Sequence, residues 1–318
     1  MEPPHCRRVV HRYCPNPRVA SLMSFMMGLA FVLPSWEISA GEAIYCAQRT
    51  MRDNTLGYPL GGSRAVPTTY CRLAQRMGAQ VHTRAHVRRI IIEHGQVQGV
   101  ELRDGNRIDA DLVISTSSVR TTALHLCDPG VLPDEYTAGA RKITGSQAAV
   151  QVKIALNRKL VRTGLLMGAV SDSTDLLQAD HDTGAEMYRR HASGRVPDIT
   201  PIYCPVPTSF DPSLAPPGHQ LLTACTVAPT NDIERQVPDR AWEEALMSAM
   251  RRLVPGLDDH VMFIDRTTVP WMEHWIGRNT DPPSPPARRP NKSVRSALAS
   301  PPPSRACTSP DAAPVAGE

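Results

Sequence analysis

The sequence predicts a mixed α/β and α+β fold: a glycine pair and helix, then an antiparallel β-meander, then a second unit of strands and helices. Three observations predict it. A glycine pair leads a helical pattern that ends in another glycine, from Gly61-Gly62 to Gly78. Short β-rich runs then alternate with x-Gly turns at His94-Gly95 and Asp104-Gly105. Beyond about residue 130, strand-like runs and an amphipathic helix follow without strict alternation, which suits a separate α+β unit.

In chain order, the first element is the apolar run Val19–Leu33, "VASLMSFMMGLAFVL". It falls short of the roughly 18–20 residues needed to span a bilayer. Arg7, Arg8, Arg12 and Arg18 precede it and "ISAGEA" follows, the outline of a cleaved signal. The recurrence of Ser21, Ser24 and Gly28 among larger apolar residues favours a buried or membrane-grazing helix, stopped by Pro34. After "YPLGGSR", Val66, Tyr70, Leu73, Ala74 and Met77 share one helical face. Ser63 is placed to cap this helix, Pro67 falls in its first turn, and Gly78 gives a left-handed stop. Strands are expected at Gln80–Thr83, Val87–Glu93, Gln96–Leu102 and the "RID" of residues 107–109. The intervening x-Gly turns make them a hairpin meander. Ala110–Thr116, "ADLVIST", is a continuous apolar run ending in hydroxyl residues, read as a buried parallel strand with a site at its carboxyl end. In the second unit Ala148–Asn157, His219–Pro229 and His260–Pro270 are strand candidates. Arg240–Gly256 is an amphipathic helix with Trp242, Ala245, Leu246, Ala249 and Leu253 on one face.

Composition narrows the function classes. A net charge of +4 over 318 residues gives no nucleic-acid footprint. Eight cysteines without a C-x-x-C pair read as reduced thiols of a cytoplasmic chain. From Asp281 onward the chain is proline-rich and poor in large apolar residues, the composition of a disordered tail. His5, Cys6, His11 and Cys14 are soft metal ligands within ten residues, but their spacing matches no common zinc module, so a disordered basic terminus is expected and no metal. Asp180, His181 and Asp182 are adjacent in a polar stretch and read as an exposed loop. In "WMEHW" the aromatic frame of Trp271 and Trp275 around Glu273 and His274 fits either a substrate mouth or a buried helix start, and the second is preferred. The glycine pair lacks the G-K-[ST] of a phosphate loop, and no Ser-His-Asp arrangement is visible.

The ordered set "YPLGGSRAVPTTYCRLAQRMGAQV", "VRRIIIEHGQVQGVELRDGNRIDADLVISTSS", "SFDPSLAPPGHQLLTACTVAP" and "TVPWMEHWIGRN" resembles the phytoene desaturase-like flavoproteins. That group includes carotenoid desaturases and isomerases. The resemblance runs along roughly residues 20 to 280. Each motif alone is common among two-dinucleotide-domain flavoproteins, and the ordered set carries the specificity.

The resemblance implies an FAD/NAD(P)-binding flavoprotein fold and FAD as cofactor. It places Gly61 and Gly62 where backbone approaches the flavin or the substrate passage without a Cβ in the way. Val87 would offer main-chain groups to adenine, and Ser115 and Thr116 would lie near the phosphates. It implies an oxidoreductase whose substrate is a long apolar, isoprenoid-like molecule that loses or relocates hydrogen, with hydride passing to flavin. It also implies peripheral membrane contact through the Val19–Leu33 helix. Catalytic residues stay unassigned. The sequence contains no strand–G-x-G-x-x-G–helix unit, and the likeness stops after "WIGRN". The chain is therefore expected to be an incomplete version of the fold that binds FAD weakly or not at all, the alternative being a non-catalytic module for apolar ligands. The expected divisions are a basic segment (1–18), an apolar helical segment of the substrate region (19–56), a partial FAD-binding domain (57–128), an α+β substrate domain (129–280) and the proline-rich tail (281–318).

Overall fold

A computed structural model describes residues 5–52, 57–143, 148–171, 189–191, 193–229 and 239–275. Its strands form two antiparallel sheets, one of three strands and one of five, joined by helices. The expected mixture of helix and sheet is what the chain adopts.

Three helices open the chain: α1 (Cys6–Tyr13), α2 (Pro17–Phe31) and α3 (Ala40–Ala47). The basic segment is thus a helix rather than a disordered terminus. Its apolar residues share one face, and Cys6 and Val10 pack with Ile38, Ala43 and Met27, while Arg8 and Arg12 are exposed and Arg7 lies over the Trp36 ring. The N–H of Cys6 donates to the Ile38 carbonyl at 2.8 Å and that of Arg7 to Ser35 at 3.0 Å. Pro17 occupies the first turn of α2, and the Asn16 side chain accepts from the Arg18 and Val19 amides, so the helix starts with its donors satisfied. It ends ahead of Pro34, with Val32 in the left-handed region at φ 54°.

Helix α4 (Ala65–Arg76) closes as the sequence indicates. Gly78 takes φ 91°, Ala79 donates to the Ala74 carbonyl and Gly78 to Gln75, the paired bonds of a Schellman stop. Its start differs from expectation. The cap position is Arg64 and no side chain caps it; Ser63 is displaced from that role because two successive backbone turns, Gly62 onto Pro59 and Ala65 onto Gly62, lead into the helix. The helix buries no residue.

The meander strands β1 (Val87–Glu93), β2 (Gln96–Leu102) and β3 (Arg107–Asp109) have the boundaries read from the sequence. His94 and Gly95 both take positive φ, 51° and 76°, the type I′ geometry that matches strand twist. Two expected strands are absent. Gln80–Thr83 is exposed and joins no sheet, since Arg84 at φ 61° breaks the extended path before β1. Ala110–Thr116 is not a buried parallel strand: Leu112 is 74% and Ile114 82% exposed. A parallel strand exists only as part of a ladder, and among the described residues no neighbour pairs with this one.

After α5 (Asp134–Lys142) comes the larger sheet: β4 (Ala148–Leu156), β5 (Leu165–Ser171), β6 (Ile199–Pro205), β7 (Gln220–Ala228) and β8 (Val261–Thr267), in spatial order β5-β6-β7-β4-β8. Helix α6 (Asp239–Leu253) covers one face. Val152, Ile154, Ile202, Leu222 and Ala224 from the sheet meet Leu246, Ala249 and Met250 from α6 in one sealed core. At its edge Trp242 packs with Val150, Ala228 and Val269, the last opening helix α7 (Val269–Trp275). His191 is fully buried with its ring tilted against Trp242 at 5.3 Å, and burial pushes its pKa down to about 4. Asp180–Asp182 and the proline-rich tail lie outside the described residues.

Candidate functional site

The glycine pair and the "SFDPSL" turn, 150 positions apart in sequence, meet in space. The N–H of Gly61 donates to Asp211 Oδ2 at 2.7 Å. The other carboxylate oxygen accepts from the Ser213 amide at 3.0 Å and hydroxyl at 2.6 Å. Asp211 is buried, and these hydrogen bonds, those of Ser213 first and that of Gly61 next, hold its carboxyl below the usual range. It is an anion fixed by donors from both sides. Around it the fit is close: Tyr58 stacks on Phe210 at 5.2 Å, Gly62 faces Leu214, and Gly164 leaves the room that the Phe210 ring fills. A Cβ at Gly164 would stand 2.5 Å from that ring. Both glycines have positive φ, 81° and 77°, which a side-chain-bearing residue adopts only under strain.

The second component is the face of the five-stranded sheet opposite α6. Strand alternation places Met167, Tyr203, Cys225 and Gln151 there in one cross-strand row, with Lys153 and Asp265 beside them. Tyr203, Met167 and Phe263 are exposed, and Lys153 pairs with Asp265 at 3.6 Å. Gln151 Nε2 donates to Cys225 Sγ at 3.3 Å. Burial raises the Cys225 thiol and pushes that of Cys204, on the α6 side, up to about 12, so neither is a ready thiolate nucleophile. At the β5 edge Phe25 of α2 packs against Ala169 and Trp36, so the helical bundle hangs over this face. Within the bundle, α1, α2 and α3 enclose an almost wholly apolar groove of about 390 Å³, lined by Val9, Val10, Tyr13, Met23, Met27 and Ile44 among others. The sheet face is thus mixed, aromatic and sulfur side chains beside an amide and an ion pair, whereas the bundle groove is apolar.

The residues singled out in the sequence fall in two places. Gly61 and Gly62 belong to the clasp just described. Val87 opens β1 opposite Leu102. Half-buried Ser115 is hydrogen-bonded to Thr122 at 2.8 Å, on the turn packed against β1, and Thr116 is exposed. Sequence reasoning missed Asp211; the "DPSL" motif was visible, but nothing local says that its carboxylate reaches a glycine amide so far away.

A dinucleotide requires amide donors free to meet a pyrophosphate. At the glycine loop they are in use: Gly61 donates to Asp211, Gly62 to Pro59 and Ala65 to Gly62. A carboxylate already fills the place an anion would take. The loop does not fit the phosphates of FAD. His5, Cys6, His11 and Cys14 do not converge, since among the described residues no group of three or more such side chains could hold a metal.

The site thus sits on a meander and a larger sheet that is helix-covered on one face and open on the other. The family of flavin containing amine oxidoreductases matches residues 6–284, and the chain belongs to it. Among solved structures, an oxidoreductase from Methanosarcina mazei has the same fold, with a TM-score of 0.60 and 21% identity over 83% of this chain and 56% of that one. A zeta-carotene-forming phytoene desaturase of Myxococcus xanthus is 28% identical over 277 residues, 84% of this chain and 49% of its own length. A chloroplastic prolycopene isomerase of Daucus carota is 21% identical over 232 residues, 71% of this chain and 35% of that protein. The chain thus spans about a third to a half of the length of these curated relatives.

Proposed function

We propose that the chain carries the apolar-substrate portion, and an adenosine-side portion of the cofactor domain, of an FAD-dependent oxidoreductase of the desaturase or isomerase kind. The substrate is a long isoprenoid-like molecule that loses or relocates hydrogen, with flavin as the acceptor. The observation carrying this reading is the sheet face bearing Met167, Tyr203 and Phe263, open to solvent and overhung by α2. This chain's own part is to orient the substrate and exclude water. Val87, Ser115 and Thr116 face the cofactor's adenosine and phosphate side in this proposal, and Gly61 and Gly62 line the substrate passage. The seven described cysteines, all unpaired, suit a reducing cytoplasmic setting.

The second reading, an apolar-ligand module without FAD, is favoured by one observation: the Asp211 carboxylate already occupies the Gly61 amide. One preparation separates the two. The purified chain is titrated with FAD and with a conjugated polyene, following flavin absorbance after desalting and quenching of tryptophan fluorescence, Trp36 lying beside Phe25. Polyene quenching with substoichiometric flavin is expected if this chain supplies only part of the cofactor site. Stoichiometric retained flavin would place the whole cofactor on this chain. Absence of polyene binding would remove the substrate assignment from both readings.

A further inference from the structure

The open face of the five-stranded sheet is divided between two kinds of side chain. On its β5–β6 side, Leu165 and Met167 lie opposite Pro205 and Tyr203, and Leu165, Met167 and Tyr203 are exposed. On its β4–β8 side stand three polar side chains, Gln151 and, one row along, Lys153 directly opposite Asp265.

The polar side has hydrogen-bonding capacity in reserve. Gln151 directs one N–H to Cys225 Sγ at 3.3 Å, and a thiol sulfur is a weak acceptor. Its other N–H and its carbonyl oxygen make no hydrogen bond among the described residues. The hydroxyl of Tyr203, two strands away in the same cross-strand row, is likewise not engaged by a described residue. Lys153 and Asp265 are each about half-exposed and stand 3.6 Å apart, so each already has its countercharge.

A hydrocarbon laid across the whole face would strip water from Gln151 and the ion pair without replacing its hydrogen bonds. Polar groups covered in that way weaken binding. A ligand hydroxyl both donates and accepts, so it can meet the Gln151 carbonyl and N–H together. A carboxylate would approach Asp265 as a like charge, with Lys153 already matched.

We propose that this face selects a polyene or isoprenoid chain that ends in a hydroxyl, not a pure hydrocarbon. The chain lies over Leu165, Met167 and Tyr203, and Gln151 holds the oxygen as the residue that sets specificity. This deepens the proposed function and rests on its reading of the open face as the substrate surface.

The experiment titrates the full chain with three polyenes that differ only at one end: retinol, retinoic acid and the hydrocarbon of the same chain. Quenching of tryptophan fluorescence reports binding, with affinities corrected for partition into a common detergent. Expected is at least about tenfold tighter binding of retinol than of the hydrocarbon, and weaker binding of the acid than of the alcohol. Gln151→Leu lowers retinol binding about tenfold while hydrocarbon binding is kept or improved; a merely structural role would lower both together. Asp265→Asn, at a half-exposed position, tightens retinoic acid about threefold and leaves retinol within about twofold. Urea midpoints near the parent's confirm that both variants are folded. Equal binding of retinol and the hydrocarbon overturns the proposal while leaving the substrate surface in place. So does the acid binding tightest, or Gln151→Leu weakening both chains alike. Failure of all three polyenes to bind overturns the surface reading and this inference together.

Discussion

In the five-stranded sheet, Val152, Ile154, Leu222 and Ala224 are sealed beneath Leu246 and Met250 of α6. In the meander region only Ile90, Ile91, Gly99 and Leu102 of the strands are buried, α4 buries nothing, and Leu112 and Ile114 stand in water. The two regions hold their shape by different means. The larger sheet has a core of its own, each buried aliphatic side chain contributing about 1.5–3 kcal/mol. The meander relies on backbone geometry: the type I′ turn at His94-Gly95, the close approach at Gly99 and the Arg89–Glu101 pair at 2.8 Å. A half-exposed ion pair contributes modestly, and backbone fit adds to the specification there. A region with its own core keeps its shape alone, whereas one with outward apolar faces is fitted for neighbours.

The sharpest way to break this comparison is at the core. Leu246→Ala should cost about 2–5 kcal/mol, read as a lower urea midpoint at unchanged slope. A loss below about 1 kcal/mol would deny α6 its place as the lid of the sheet. A similar loss is expected from acid. His191 is buried with its pKa lowered from 6.5 to about 4, so the unfolded chain binds its proton first as pH falls. Stability from this group is therefore complete above about pH 6.5 and declines from there toward pH 4, by about 3 kcal/mol. Melting temperature against pH reads this, and His191→Phe should flatten the slope; an unchanged slope would place the acid sensitivity elsewhere.

In the meander the vulnerable point is a glycine. Gly99 has φ 139°, and a Cβ there would run into the Ile108 carbonyl. Gly99→Ala should cost about 1–3 kcal/mol and strip exchange protection from the β2–β3 amides while β4 and β7 stay protected. The smallest effect is predicted on α4. Leu73→Gln or Met77→Gln should change stability by no more than about 0.5 kcal/mol. A larger loss would mean that this face is covered in solution.

The contrast also explains what could be read from the chain. The meander was legible to the residue because period-two alternation and x-Gly turns are local signals. β4, β7, β8 and α6 were legible as long periodic runs but not to the residue: the strand expected at His260–Pro270 stops at Thr267, and Val269 and Pro270 open α7. β5 and β6 were not legible. β6 contains Pro201 and Pro205 on either side of Tyr203, and their missing N–H groups reduce its pairing with β7 to Tyr203 opposite Cys225. Prolines that read as loop in sequence are tolerated because β5 pairs along the other edge. Gln80–Thr83 and Ala110–Thr116 had strand composition but no ladder, which composition does not report. Helix α1 was hidden by its arginines, whose density suggested disorder although Cys6, Val9, Val10 and Tyr13 already marked one face. In the candidate site the glycine pair stood out in the sequence, and both glycines take positive φ. Its contact with Asp211 was not, because sequence carries no distance between segments so far apart.

That contact has a consequence for the order in which the molecule assembles. The bond from Gly61 to Asp211 ties a loop of 150 residues, and loop-closure entropy makes such a tie unfavourable until the elements at both ends are in place. The hairpin turns close over a few residues, and the β4–β8 ladder, which pairs Gln151 with Thr267, is rewarded by a whole run of bonds and a buried core. The clasp, a single bond with no such run behind it, is therefore expected to close after the sheets and to open before them in local unfolding.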